Sequence, residues 1–255
     1  MPLIDERRAD IPRGRILYDA AQLRKADETL FSLEAWAAKG AAERLIGGRG
    51  SIALLEDEGA RWALRHYRRG GMIAKLSQDR YLWLGENRTR SFMEFRLLAE
   101  LRRLGLPVPK PIAARYERHG LTYSADLMTE WIADTETLAK ALLSGHMNER
   151  SWHEVGRTIA AFHAAGVDHA DLNANNILLR THNPADAAGD AVYILDFDRG
   201  RLRARGSWEQ QVLARLRRSL EKISAGAGRA VDESHWRQLL EGYDQGDRRT
   251  ADGGR

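Results

Sequence analysis

The chain has 255 residues, with 40 lysines and arginines against 36 aspartates and glutamates, no cysteine, and a formal charge of +4. Lacking cysteine, it has neither a disulfide framework nor a thiolate metal site, and a reducing compartment is favoured. No apolar run approaches the ~20 residues of a membrane span and Met1-Pro-Leu-Ile-Asp-Glu-Arg-Arg lacks an apolar signal core, so a soluble or peripheral protein with anionic partners is expected.

Residues 1 to 28 are polar and weakly patterned, and read as an extended lead-in. From Thr29 to Leu45, the spacing of Leu30, Leu33, Trp36, Ala37, Ala41 and Leu45 predicts a packing helix. Gly47, Gly48, Gly50 and Ser51 follow, then Ile52 to Leu55, a turn over Glu56 to Gly59, and Ala60 to Tyr67. This is the pattern of a β-hairpin with a glycine-rich approach, where backbone N–H groups come close to phosphate oxygens. The G-x-x-x-x-G-K-[ST] pattern is absent, which disfavours a P-loop fold.

Arg65 stands on the second strand at the register where kinases carry a phosphate-binding lysine, and Lys75 is the alternative cation. Ser91 to Leu104 predicts a helix with Phe92, Phe95, Leu98 and Leu101 on its apolar face. Glu94 points toward that buried side, where an unpaired carboxylate is costly, and Arg65 is the partner assigned to it. Beyond the proline-rich stretch Leu104 to Pro111, Ile112 to Arg115 and Leu121 to Met128 form a second hairpin. Thr129 to Ile132 then reads as a linker, which by position sets the backbones of Glu130 and Ile132 at an adenine edge. Leu138 to Leu143 opens a helical part, and Ser151-Trp-His-Glu154 reads as a capping box for a helix that ends at Gly166.

His169, Asp171 and Asn176 then match the H-x-D-x-x-x-x-N pattern of a kinase catalytic loop. Twenty residues on, Val192 to Leu195 reads as a buried strand ending in Asp196, paired with Ile177 to Leu179 around a turn at Asn183-Pro184. Asp171 has the chemistry to take a proton from an attacking hydroxyl, and Asn176 and Asp196 offer the hard oxygens that suit Mg2+ on the phosphates of ATP. Arg199, Arg201, Arg203 and Arg205 alternate just beyond and suit an anionic acceptor. Two helices follow, Trp208 to Ile223 and one holding Trp236, Leu239, Leu240 and Tyr243, before a tail from Asp244 that reads as disordered.

The combination of Gly47-Gly-Arg-Gly-Ser51, Leu64-Arg-His-Tyr-Arg-Arg-Gly-Gly71, Asp79-Arg-Tyr-Leu-Trp83, Leu106-Pro-Val-Pro109, the His169 to Asn176 loop and Asp196-Phe-Asp198 resembles the 3-deoxy-D-manno-octulosonic acid (Kdo) kinases of Gram-negative bacteria. That resemblance covers about residues 45 to 225. It implies an α+β, two-lobed protein-kinase-like fold, with a β-rich nucleotide-binding part over residues 1–130 and a helical part over 131–255. It also implies ATP-dependent phosphorylation of the 4-hydroxyl of Kdo on the lipid A precursor, with Asp171 catalytic, on the cytoplasmic side of the inner membrane. The implied partners are ATP, the Kdo-bearing lipid and an anionic membrane surface, without nucleic acid or a protein substrate.

Departures from the wider kinase pattern narrow the subclass. Ala170 replaces the arginine that holds a phosphorylated activation loop, and no A-P-E segment follows Asp196, which argues against a peptide platform. An aminoglycoside- or choline-type kinase is the alternative enzyme, although its cationic substrates call for an acidic pocket. A pseudokinase-like membrane-associated binding module is the alternative of another class.

Overall fold

A computed structural model describes residues 4–47, 50–68, 79–181, 192–228 and 232–252. The chain divides into two units, Met1–Arg103 with Pro109–Trp131, and Leu104–Val108 with Ile132–Arg255.

The first unit is a sheet flanked by helices. Its elements are β1 (Glu6–Ile11), β2 (Gly14–Asp19), a 3-10 turn at Glu28–Phe31, α1 (Leu33–Ala38), β3 (Ala42–Gly47), β4 (Gly50–Asp57), β5 (Ala60–His66), β6 (Tyr81–Leu82), α2 (Arg90–Arg103), β7 (Pro111–His119) and β8 (Thr122–Glu130). The antiparallel order is β1-β2-β7-β8-β5-β4-β3, with β6 also paired to β8. Strand periodicity divides β5 between two faces: Trp62 and Leu64 are buried on one, and Arg65 leaves on the other. The buried face is covered by Phe31 and Trp36, with Trp36 edge-on to Trp62 at 5.9 Å and its indole N–H donating to Leu30 O at 2.9 Å. Helix α2 packs on β7 and β8 through Phe92, Phe95, Leu98 and Leu101.

Two sequence expectations fail in this unit. The supposed lead-in contains the β1–β2 hairpin, whose polar run is that of an exposed edge strand, with Arg15 bound to Asp10 at 2.6 Å. The helix expected over Thr29 to Leu45 breaks in three: Asp27 caps the 3-10 turn, Ser32 caps α1, and Gly40 at φ 67° stops it before β3.

The second unit is mostly helical. Its elements are β9 (Thr135–Thr137), α3 (Leu138–Ser144), α4 (Glu149–Ala164), β10 (Val167–Asp168), β11 (Ile177–Arg180), β12 (Val192–Ile194), β13 (Arg201–Leu202), α5 (Trp208–Gly226) and α6 (Glu233–Asp252). Strand β11 pairs antiparallel with β9 and β12, and β10 pairs with β13. The turn expected at Asn183-Pro184 lies outside the described residues. Asn148, not Ser151, caps α4: its side-chain oxygen accepts the Ser151 N–H at 2.9 Å.

The tail expected to be disordered from Asp244 is helical to Asp252. Its glycines read as breakers in the sequence, but they are contact points in the fold. A Cβ on Gly242 would stand 2.3 Å from His153 O, and one on Gly246 would stand 2.9 Å from the Ala160 Cβ, so α6 lies directly on α4. Arg205 binds Asp247 at 2.7 Å and Tyr243 meets His163 at 2.9 Å, which holds the polar side of α6 in place.

Gly156 on α4 is the matching contact, since a Cβ there would meet Leu239 O at 2.0 Å. Gly156→Ala should therefore destabilise the second unit by roughly 1–3 kcal/mol, the usual cost of overpacking. Calorimetry would check this, and an unchanged melting temperature would show that α4 and α6 do not meet here.

Candidate active site

In the second unit, three short segments converge on one carbonyl and one amide. His169 is buried at the end of β10, and its Nε2 lies 2.8 Å from Leu195 O. A carbonyl only accepts, so Nε2 carries the proton. Its Nδ1 in turn accepts the Asp171 N–H at 3.3 Å, which defines a neutral imidazole. Burial pushes the His169 pKa down, in agreement with that state. The Leu195 N–H donates to Asn176 O at 2.8 Å, so both ends of the His169–Asn176 loop are tied to the residue before Asp196.

Asp196 itself adopts φ 64°, a left-handed conformation uncommon outside glycine. It turns the chain between the pinned Leu195 and Phe197, which is buried between His169 at 4.7 Å and Phe162 at 5.8 Å. Within the loop, Asn173 Nδ2 and Asn176 Nδ2 both donate to Asp171 O, at 2.9 and 3.2 Å. The Asp171 carboxylate is exposed, with Arg215 of α5 at 3.5 Å.

This donor set fits a hard divalent cation. The amide nitrogen of Asn176 is spent on Asp171 O, which leaves its Oδ1 as an oxygen donor, and the Asp196 carboxylate is of the same hard type. Among the described residues no cluster of three or more histidines and carboxylates is suited to a metal. Phosphate oxygens would have to complete the shell, as is usual for Mg2+.

The basic segment is more engaged than its sequence suggests. Arg201 Nε and Arg203 Nη1 both donate to the buried Asp168 Oδ2 at 3.1 Å, along the β10–β13 pairing. Arg205 is held by Glu209 and Asp247, whereas Arg199 is exposed and has no ion pair among the described residues.

In the first unit, Arg65 and Glu94 meet at 2.6 Å, the pairing expected from the sequence. The Glu94 side chain is 2% exposed and also accepts from the Tyr67 hydroxyl, while the Arg65 guanidinium lies 4.7 Å from the Tyr67 ring centroid. Gly47 and Gly50 are a register pair closing the β3–β4 hairpin, with Ser51 next on β4; Gly48 and Lys75 lie outside the described residues. Glu130 ends β8 with its N–H spent on Lys110 O at 2.8 Å, and its carboxylate pairs with Arg102. In the second unit the Ile132 carbonyl accepts from the Thr135 hydroxyl at 2.9 Å. A cavity of about 250 Å³ lined by Leu64, His66, Arg115 and Asp126 lies on the face of β5 opposite Arg65, away from these residues.

Sequence reasoning missed Asp168, Arg215 and Ser219. Ser219 and Arg215 lie four residues apart on one face of α5, and the Ser219 hydroxyl accepts the Ala174 N–H at 3.2 Å. No sequence signal separates Arg215 from Arg217 and Arg218, so the contact with Asp171 had to be seen. Asp168 precedes the His169 of the loop motif but carries no signal of its own, and its pairing with Arg201 and Arg203 had to be seen as well.

A sequence model of the lipopolysaccharide kinase (Kdo/WaaP) family matches residues 33–243. A 3-deoxy-D-manno-octulosonic acid kinase of Xylella fastidiosa (strain M23) is 45% identical over 234 residues, covering 91% of this chain and 90% of its own. Enzymes of the same name from Stenotrophomonas maltophilia (strain K279a) and Xanthomonas campestris pv. campestris (strain B100) are 45% and 44% identical, with the same coverage. Among solved structures, WaaP in complex with acyl carrier protein matches with a TM-score of 0.54 and 18% identity, over 82% of this chain and 81% of that one. That likeness shows the fold, which is protein-kinase-like.

The His169 geometry has a pH consequence. Burial lowers His169, and pushes His163 down to about 4, so the unfolded chain takes up protons on them that the folded chain does not. Their contribution to stability is full above the ordinary histidine value of about 6.5 and falls as pH drops below it. His66 works in the opposite sense: the hydrogen bond its Nδ1–H donates to Asp126 raises it, and its contribution is lost as pH rises through its folded value. Histidine NMR titration should find His169 neutral and Nε2-protonated at pH 6.5. Half-protonation at or above that pH would contradict the assigned tautomer.

Proposed function

Since the chain belongs to the lipopolysaccharide kinase (Kdo/WaaP) family, we propose that it transfers the γ-phosphoryl group of ATP to the 4-hydroxyl of Kdo on the lipid A precursor, at the cytoplasmic side of the inner membrane. The observation that carries this reading is the interlocked His169–Asn176 loop, which holds Asp171 and is tied at both ends to Leu195, the residue before Asp196. The name shared by relatives at 44–45% identity supports the acceptor.

In this mechanism the acceptor hydroxyl binds beside Asp171, whose carboxylate takes its proton as the oxygen bonds to the γ-phosphorus. The bond from that phosphorus to the bridging oxygen breaks, and ADP leaves. Asn176 Oδ1 and the Asp196 carboxylate would hold Mg2+, which when bound offsets negative charge on the phosphates. Arg65, fixed by Glu94, serves the ATP phosphates as a planar donor where lysine is usual, and Gly47, Gly50 and Ser51 supply backbone N–H groups to them.

The acceptor's carboxylate and phosphates call for cations near Asp171. Arg201 and Arg203 share one carboxylate, so together they retain one net positive charge, Arg199 adds to it, and Arg215 stands against Asp171 itself. Replacing Arg201 and Arg203 together would leave Asp168 buried and unpaired, which mixes a folding loss with a binding loss. Arg199→Gln and Arg215→Gln separate the two.

Asp171→Ala and Asp196→Ala should each lower turnover by roughly two to four orders of magnitude with the fold intact, as for loss of an acid–base or metal-holding group. The assay is radiolabelled ATP offered with Kdo-lipid A precursor, an aminoglycoside and a protein substrate. Transfer to the aminoglycoside alone, or near-normal transfer by a folded Asp171→Ala protein, would sink the proposal. Arg199→Gln with Arg215→Gln should raise the KM for the acceptor with little change in that for ATP.

The Arg65 assignment is checked separately by nucleotide binding. Arg65→Ala removes the Glu94 ion pair and should weaken binding of an ATP analogue while lowering the melting temperature, and Arg65→Lys should restore part of both. A far larger binding loss from Lys75→Ala would transfer the phosphate role to that residue.

A further inference from the structure

The three most exposed large apolar side chains among the described residues, Leu121 at 78%, Leu82 at 60% and Leu84 at 60%, lie together at one end of the sheet. The pairing places them there. Leu82 is opposite Thr122, the Trp83 N–H donates to Leu121 O at 2.9 Å, and the Arg118 N–H donates to Arg13 O at 2.7 Å. The β1–β2 turn, the β7–β8 turn and the segment after β6 therefore form one tip.

That tip is cationic as well as apolar. Arg118 stacks over Trp83 at 5.3 Å and its Nε donates to Gly120 O, while Arg13 is exposed. Neither has a carboxylate partner among the described residues, whereas Arg80 is matched by Asp79 at 3.4 Å. Trp83 is anchored from behind by Tyr116 at 5.0 Å and Tyr123 at 6.0 Å, so the loop that carries Leu82 and Leu84 has a fixed base.

From this arrangement we propose that the tip is a membrane-docking surface: Leu82, Leu84 and Leu121 enter the headgroup–acyl boundary of an anionic bilayer, and Arg13 and Arg118 contact its lipid phosphates. Leucines projecting from turns, with guanidiniums beside them, suit a soft anionic interface. A protein partner of ordinary affinity needs a broad complementary face of about 800 Å² on each side, which hairpin turns do not offer. The net charge of +4 favours the same partner at longer range. The proposal deepens the kinase reading by naming the surface through which a lipid-borne acceptor is approached, yet docking is measured without phosphate transfer.

The test is sedimentation of the full-length protein with vesicles of phosphatidylcholine containing phosphatidylglycerol, against phosphatidylcholine alone. Wild type should bind the anionic vesicles preferentially. Leu82→Ser, Leu84→Ser and Leu121→Ser combined, or Arg13→Ser with Arg118→Ser, should each reduce partitioning about tenfold or more at low salt. All five positions are on the surface, and unchanged melting temperatures would show that the variants fold. Both variants should keep wild-type transfer to a soluble delipidated acceptor and show a raised KM for the vesicle-embedded one. Equal vesicle binding by wild type and the leucine variant would overturn the proposal. So would vesicle binding that is unaffected while capture of an acidic protein such as acyl carrier protein is lost. Failure of wild type to phosphorylate even the soluble acceptor would instead count against the kinase reading, leaving the vesicle result to decide the surface.

Discussion

Neutral His169 is the joint on which the second unit's chemistry depends. One ring nitrogen donates to Leu195 O and the other accepts from the Asp171 N–H, and a charged imidazole, with two donors, would lose the second bond. Asn176 O closes the circuit by accepting the Leu195 N–H. Each such bond contributes only about 0.5–1.5 kcal/mol net. Two of them, with the burial of Phe197, still outweigh the ~1–2 kcal/mol that a left-handed Asp196 costs. The strained residue is held in place through its neighbours on either side.

The first unit solves a related problem with charge. Three of its buried carboxylates have a cation close by: Glu94 has Arg65, Asp126 has Arg115 at 2.9 Å and His66 at 2.7 Å, and Asp19 has Lys110 at 2.8 Å. Such pairs are poor sources of net stability, because desolvation consumes much of the attraction. They penalise error instead. A one-residue slip of β5 would send Arg65 into the apolar layer and Leu64 out of it, breaking the ion pair to the buried Glu94. The side of β5 that carries the aromatic core and the side that carries Arg65 are thus specified together.

What could be read from the sequence follows from how local each signal is. The catalytic loop, the strands around it, α2 and the Arg65–Glu94 pair all rest on short spacing or on one unpaired charge, and each was legible. The N-terminal hairpin was missed because a solvent-facing edge strand has the composition of a disordered lead-in. The end of α6 was missed for a related reason: Gly242 and Gly246 are helix breakers in isolation and become packing points only when α4 supplies a surface against them. Arg215 and Asp168 were illegible because their meaning lies in partners 44 and 33 residues away in sequence, reached at 3.5 and 3.1 Å in space.

Arginine content shows the same distinction between composition and placement. A basic chain suggests anionic partners, but many of these guanidiniums are committed internally. Arg201 and Arg203 stitch β13 to Asp168, Arg205 ties α5 to α6 through Glu209 and Asp247, Arg115 balances Asp126, and Arg15 joins β2 to Glu86 at 2.8 Å. Apart from Arg201 and Arg203, which share one carboxylate, each has a carboxylate close enough to cancel its field beyond roughly a Debye length of 8–10 Å. Arginines without such a partner among the described residues, such as Arg13 and Arg118 at one end of the sheet and Arg199 beside the Asp196 turn, carry the long-range positive character. Net charge announces that an anion is bound; the pairing of each guanidinium decides where.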